Sequence, residues 1–331
     1  MTAAPVATSS PPRSAARPRV ILWPILALVL MLAFNLAFTG GFFRIEVKDG
    51  HLFGSLIDIL KNAAPVALTA IGMTLVIATG GVDLSVGTVM AITGQLTVRL
   101  LVMSEWSMPS ACLAGLGVAL ACGLWNGLLV GYINIQPIVA TLILFVAGRG
   151  IAELITDGQI VTLHNRAFEF LGRGFLFTLP FQITIVLCVL LGVSLLTRRT
   201  AAGLFIESVG NNPTAARFSG INQRFIKLLV YGFCGLCAGV AGLIIASNTA
   251  QADPHHAGLN VELDAILAVV IGGTALAGGR FSLIGSMVGA LIIQTMDTTI
   301  RTRGVAVEWT LVVKAVVVVG VCLLQAPKFQ R

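Results

Sequence analysis

Ten stretches of about 17 to 24 residues are almost free of charged side chains, and they constrain the fold more than any other feature of the sequence. They lie at residues 20–38, 55–78, 84–103, 109–131, 137–156, 180–197, 226–247, 261–277, 282–300 and 305–325. A helix needs about 20 apolar residues to cross a hydrocarbon core about 30 Å thick. Charged residues make up 11% of the chain, against about 25% in soluble domains, and the mean hydropathy is +0.95. The sequence therefore predicts an all-α, polytopic membrane protein with about ten transmembrane helices.

Basic residues outside these stretches predict the orientation of the chain. Residues 1–19 contain three arginines and no acid, which is typical of a disordered, basic cytoplasmic tail. The first span is too long for a cleaved signal peptide, so we expect it to be retained. An even number of spans places both termini, the basic 198–225 segment and residues 326–331 on the cytoplasmic side.

A weak internal repeat indicates two related halves. Residues 80–88 and 278–286 align with a Gly-Gly pair and a later glycine in register. Related halves are typical of transporters. The alignment leaves open whether they are parallel or inverted.

The segment 79–87 interrupts an apolar run with Gly80, Gly81 and Asp83. A lipid-facing helix does not tolerate such a break, because its freed backbone groups and carboxylate need partners or water. Either the break lines a cavity or the cytoplasmic rim, or Asp83 caps the following helix in a tight turn with the help of Ser85. The two alternatives are compatible.

The segment 207–221 is polar at both ends and predicts a short cytoplasmic helix. Asn212 is a good N-cap and Pro213 fits the first helical position. Ala215 and Ala216 would leave one face smooth, Arg217 would project a charge, and Gly220 would end the helix. Such a helix suits a groove on another protein, although a solvated connector has the same composition.

Three segments in this order carry a resemblance to a known family: TLVIATGGVDLSVG at 74–87; VGNN, AAR and SGI within 209–221; and ELDAILAVVIGGT at 262–274. Residues 20–325 resemble the permease subunits of bacterial ABC importers for ribose, xylose, arabinose and galactofuranose, which are related more distantly to branched-chain amino-acid permeases. Within the group, residues 49–55, 136–144 and 157–162 are most similar to galactofuranose permeases. Arg280 and Phe281 replace the glycine-rich continuation seen in many relatives.

The resemblance implies partners and a coupling segment. A cytoplasmic ABC ATPase would bind ATP and Mg, and a second permease subunit, identical or paralogous, would complete the pathway in the bacterial inner membrane. A periplasmic protein would bind the sugar, and this chain would hold no cofactor. Contacts with the ATPase would come from Glu207, Gly210, Asn211, Asn212, Ala215, Ala216, Arg217 and Gly220.

Polar residues in or near spans are candidates for the translocation pathway. These candidates are Asp83, Ser85, Asn126, Gln136, Glu262, Asp264 and Gln294. Glu262 and Asp264 could equally cap a helix. Arg149 and Glu153 are four residues apart, which predicts a pair on one helix face, whereas Glu308 and Lys314 fall on different faces.

Other functions explain the sequence less well. A GxxxxGK[ST] loop is absent from the sequence, so ATP hydrolysis needs a separate subunit. An ion-coupled carrier for a small polar solute is the main alternative, with Asp297 as its titratable group. Cys234 and Cys237 fit helix packing better than redox chemistry, and His255-His256 fits a turn better than a metal site. The residue patterns of enzymes, channels and nucleic-acid-binding proteins are absent from the sequence. The few charges in the spans favour a neutral monosaccharide as the substrate, galactofuranose above others.

Overall fold

The structure, a computed structural model, describes residues 19–48, 50–304 and 308–325. Residues 1–18 of the predicted tail at 1–19 and the predicted end at 326–331 lie outside these ranges, whereas Arg19 of that tail begins the first helix. The described helices are α1 Arg19–Phe38, α2 Ser55–Ala78, α3 Val86–Met103, α4 Met108–Gly131, α5 Pro137–Ile155, α6 Arg166–Arg173, α7 Phe181–Arg199, α8 Ala202–Asn211, α9 Pro213–Phe218, α10 Gln223–Thr249, α11 Val261–Ile271, α12 Leu283–Thr302 and α13 Glu308–Gln325.

Strands are few and short, and each pair is antiparallel. Strand β1 (Glu46–Lys48) pairs with β2 (His51–Phe53). Strand β3 (Val161–Thr162) pairs with β6 (Gln251–Ala252), and β4 (Phe175–Leu176) pairs with β5 (Leu179–Pro180). All three pairs join loops at helix ends, so the fold is helical.

Within the described residues, seven helices are long and apolar enough to cross a membrane: α2, α3, α4, α5, α7, α10 and α12. This confirms a polytopic all-α membrane protein, whereas the count of ten spans is not confirmed. The clearest departure is the predicted span 261–277. Helix α11 has 11 residues there, about 16 Å at 1.5 Å per residue, which is half the thickness of a bilayer core.

Helices α2 and α11 end in the same way. Gly81 N–H bonds to the Val76 carbonyl, and Thr274 N–H bonds to the Val269 carbonyl, each at 3.2 Å. Gly80 and Gly273 take positive φ angles of 80° and 88° at these stops, as a Schellman C-cap requires. The order of a helix, a glycine stop and a second helix therefore occurs twice. In the second half the stop is Gly273, whereas the sequence alignment places Gly278 opposite Gly80.

The core lies between α2 and α10. Buried residues fill 78% of the apolar window of α2 and 67% of that of α10, but 17% of that of α7. Leu68, Ile71 and Tyr231 are fully buried in this centre. Helix α7 therefore has its apolar surface available to lipid or to another subunit.

Glycines allow α4 to approach α10 closely. A Cβ added to Gly127 would lie 2.8 Å from Leu228 Cα, and one added to Gly131 would lie 2.9 Å from the Arg224 carbonyl oxygen. Close backbone approach at small residues is the usual way in which membrane helices associate. Gly117, on the same helix, has open space around it.

We expect Gly127→Val to disrupt the α4–α10 contact, because overpacking costs roughly 1–3 kcal/mol. The purified variant should unfold at a lower temperature than the unmodified protein. Gly117→Val is the matched control and should leave the unfolding temperature nearly unchanged. Equal effects of the two substitutions would contradict the packing described here.

Candidate functional site

The break between α2 and α3 contains a buried polar cluster. Asp83 is 1% exposed, and its Oδ1 accepts hydrogen bonds from Ser85 N–H at 2.9 Å and from Ser85 Oγ at 2.7 Å. Asn126 Nδ2, from α4, donates to Ser85 Oγ at 2.8 Å. Asp83 therefore stabilises a turn that leads into α3, and these three pathway candidates bind one another.

The predicted coupling segment, residues 207–221, contains the second half of α8 and all of α9. Asn212 Oδ1 accepts the Ala215 N–H at 3.0 Å, Pro213 is the first residue of α9, and Gly220 has φ of 82°. The predicted cap, first residue and stop agree with this local structure.

The exposed surface of α9 differs from the prediction. Ala216 is 4% exposed because it faces the protein, so it does not extend the smooth face of Ala215. Phe218 is 88% exposed and adjoins the exposed Arg217. Sequence analysis missed Phe218, although an aromatic residue between a charge and a serine in a polar segment was a usable signal.

The end of α8 packs against two other segments through close backbone contacts. Gly279 N–H donates to the Ala78 carbonyl at 2.8 Å, and Gly210 lies so close to Ala78 and Gly279 that a Cβ there would overlap both. A Cβ on Gly278 would lie 2.9 Å from Gly80 N. We call these five residues the glycine junction. Through it, α8 contacts the end of α2 and the 272–282 connection between α11 and α12.

Glu207 and Asn211 occupy different places around the junction. Asn211 is exposed overall, yet its side chain lies so near Gly279 that a Cβ on Gly279 would overlap the Asn211 side chain. Glu207 is half-buried on α8.

An ion triad joins α11, α12 and α13. Lys314 Nζ lies 2.8 and 2.9 Å from the two carboxylate oxygens of Asp264 and 3.2 Å from Asp297 Oδ2. The side chains are 10–15% exposed. Asp264, a pathway candidate, and Asp297, the titratable group of the carrier alternative, therefore share one cation. Their residue spacing gave no sign of this pairing.

Segment 250–260 is fastened to α5. Arg149 Nη1 donates to the Ala257 carbonyl at 2.9 Å and the Pro254 carbonyl at 3.4 Å, and Glu153 Oε1 lies 3.6 Å from His255 Nδ1. The predicted Arg149–Glu153 pair is wrong, because both side chains turn towards this segment instead.

Asp253 organises the turn inside the same segment. Its Oδ1 accepts the N–H groups of His255 and His256 at 2.9 and 3.1 Å. Burial raises the pKa of the Asp253 carboxyl, but the hydrogen bonds from His256 and His255 lower it more, so the net pKa lies below its ordinary value. The two histidines thus belong to a turn. No cluster of three or more metal-ligating side chains occurs among the described residues.

The remaining pathway candidates lie apart from one another. Glu262 is 5% exposed in the first turn of α11, and its Oε2 has no hydrogen-bond partner among the described residues. Gln136 is exposed before α5. Gln294 lines a cavity of ≈ 260 Å³ together with Asn62 and Asn248. The candidates therefore do not form one site in this conformation.

Comparisons with known proteins give consistent matches. Residues 55–322 match the family described as branched-chain amino acid transport system / permease component. The chain is 53% identical to the galactofuranose transporter permease protein YtfT of Escherichia coli K12, covering 93% of this chain and 91% of the relative. It is 41% identical to the fructose import permease protein FruF of Bifidobacterium longum (94% and 89%) and 35% identical to the ribose import permease protein RbsC of E. coli K12 (92% and 93%). No solved structure gives a significant match.

We expect Lys314→Met to destabilise the protein by about 3–5 kcal/mol, because it leaves two buried carboxylates without their cation. The thermal unfolding temperature of the purified variant should fall. Adding Asp264→Asn and Asp297→Asn should restore much of the loss. Lys61→Met removes a half-buried lysine elsewhere and should have a small effect; an equal effect would argue against the triad.

Proposed function

The chain belongs to the permease-component family of the branched-chain amino acid transport system, and we propose that within this family it is the permease subunit of an ATP-driven importer for a neutral monosaccharide, galactofuranose in particular. The structural observation that carries the proposal is the glycine junction, which joins α8 and the adjoining α9 to two helix breaks. The sugar is supported by 53% identity to a galactofuranose permease over 93% of the chain.

The proposed ATPase contact is the outer surface of α9. Phe218 and Arg217 stand out from the protein beside Ala215, and an exposed aromatic residue next to arginine is typical of an interface anchor. ATP and Mg would bind to the partner ATPase. This chain is a transport subunit and not an enzyme.

The rest of the assembly follows from the family and from charge. A second permease subunit, identical or paralogous, would complete the pathway, and a periplasmic sugar-binding protein would deliver the substrate. Arg198 and Arg199 end α7 beside the coupling segment, which favours a cytoplasmic position for residues 198–225. We therefore propose an inner-membrane protein with both termini cytoplasmic, in which residues 20–325 form the permease domain between a tail at 1–19 and an end at 326–331.

The glycine junction suggests how ATPase closure could reach the pathway. Gly210 has no side chain to absorb a displacement of α8, so movement would pass directly to Ala78 and Gly279. Ala78 precedes one break and Gly279 lies in the other. Rocking of these elements would open the pathway alternately to the two sides, as in other transporters with repeated halves.

The ion-coupled carrier is less well supported. Its proposed titratable group, Asp297, is paired with Lys314. Relatives that match over more than nine tenths of the chain are described as import permeases for sugars.

We expect Phe218→Asp and Arg217→Glu to weaken binding of the ATPase, because loss of an interface anchor costs about 2 kcal/mol, or roughly thirtyfold in affinity. Affinity between the purified permease complex and the ATPase is the measurement. Phe177→Asp is the matched control, because Phe177 is 87% exposed in the turn before α7, at the other end of that helix from α8. Normal binding by both α9 variants would overturn the coupling assignment.

We expect sugar uptake by vesicles to require ATP, the ATPase, the second permease subunit and the binding protein, because the nucleotide and high-affinity sugar sites lie outside this chain. Vesicles that contain this chain alone should show no uptake. Uptake by the chain alone, driven by a proton or sodium gradient, would favour the carrier.

Calorimetric titration of the binding protein against furanose and pyranose sugars tests the substrate separately. We expect the tightest binding for galactofuranose. A preference for ribose, xylose or an amino acid would overturn that assignment and leave the importer in place.

A further inference from the structure

A cavity of ≈ 100 Å³ lies between α3, α10 and residues 251–258. The residues that line it include the glycines Gly94, Gly242 and Gly258 and the polar residues Gln95, Thr249, Gln251, Asp253 and His256. Gln95 of α3 is one of the residues that line this space.

Gln95 is anomalous for a buried side chain. It is 0% exposed, yet neither Nε2 nor Oε1 has a hydrogen-bond partner among the described residues. Buried amides are nearly always hydrogen-bonded, because an unpaired buried donor or acceptor is costly. Asn35 of α1 shows the ordinary case, since it is also 0% exposed but donates to Met31 O at 2.9 Å and to Thr299 Oγ1 at 2.8 Å.

An amide that lines a cavity and lacks protein partners suits a ligand with hydroxyl groups. The amide offers two donors and one acceptor oxygen, and each sugar hydroxyl both donates and accepts. The Gln95 amide is uncharged, so its bonds to a hydroxyl are weak enough to release a solute in transit, and the two titratable residues of the lining, Asp253 and His256, are bonded to each other at 2.9 Å. We propose that this cavity is a hydroxyl-binding site for the translocated sugar, with the Gln95 amide as its principal hydrogen-bonding group; this rests on the proposed function.

The outer wall of the cavity is a segment that can change the size of the site. Both amide atoms of Gln95 have less than 1 Å² of accessible surface, so a sugar hydroxyl can reach them only after outward movement of residues 251–258. Arg149 holds this wall through the Pro254 and Ala257 carbonyls. The present conformation is therefore the contracted form of the site, and the sugar binds when the wall has moved away.

The test compares Gln95→Met with Asn35→Leu in the complete importer. Each substitution replaces a buried amide by an apolar side chain of similar size. Thermal unfolding of the complex is measured first, followed by ATP-driven uptake of labelled D-galactose, D-fructose and D-ribose into vesicles. We expect Gln95→Met to keep or raise the unfolding temperature, because it removes an unpaired amide, and to lower the maximal uptake rate about five- to tenfold. Asn35→Leu should lower the unfolding temperature and leave uptake per folded complex unchanged.

Each outcome separates the inference from the function on which it rests. A lower unfolding temperature for Gln95→Met would show that Gln95 has a structural partner and would overturn the inference. A higher temperature with normal uptake would mean that the cavity holds only water, which also overturns it. Failure of the unmodified importer to transport any sugar would instead overturn the proposed function, while the unfolding comparison would still report on Gln95.

Discussion

Every backbone N–H and C=O group inside a bilayer needs a partner in the protein, and the other features of this structure depend on that requirement. Helices satisfy it along most of the chain. At the two places where a helix stops inside the bundle, Gly81 and Thr274 supply the N–H groups that close the ends of α2 and α11. Gly279 N–H then bonds to the Ala78 carbonyl across the two breaks. The breaks are tolerated because each one uses the other as a partner.

Backbone contact at these breaks also explains the use of glycine elsewhere. Gly127 lets α4 contact α10, and Gly210 lets α8 contact the breaks. In lipid, apolar side chains gain little from meeting one another, so close van der Waals contact holds the helices together. The same closeness makes the junction stiff, because no flexible side chain separates Gly210 from Ala78 and Gly279. Glycine thus serves both the proposed coupling contact and the packing of the helices.

Buried polar groups divide into those that hold the fold and those that remain available. Lys314 is shared by two carboxylates, and Arg149 binds carbonyls of the 250–260 segment; each is a link between elements. Asp83 and its hydrogen-bond partners fix the turn before α3. Gln95 differs, because neither polar atom of its amide has a protein partner among the described residues, and the residue lines a cavity. A buried amide with neither polar atom paired is a place where ligand chemistry is expected.

The sequence alone determined the features that depend on local composition. Apolar runs fixed the membrane class and most helices, and Asn212, Pro213 and Gly220 fixed α9, because hydropathy, caps and stops act within a few residues. Only the tertiary structure decided that 261–277 holds a half-length helix, that Asp264 pairs with Lys314, and which face of α9 is exposed. It also decided that Gln95 is the unpaired amide. These features depend on residues distant in sequence, such as Asp264 and Lys314, which meet only when the helices pack.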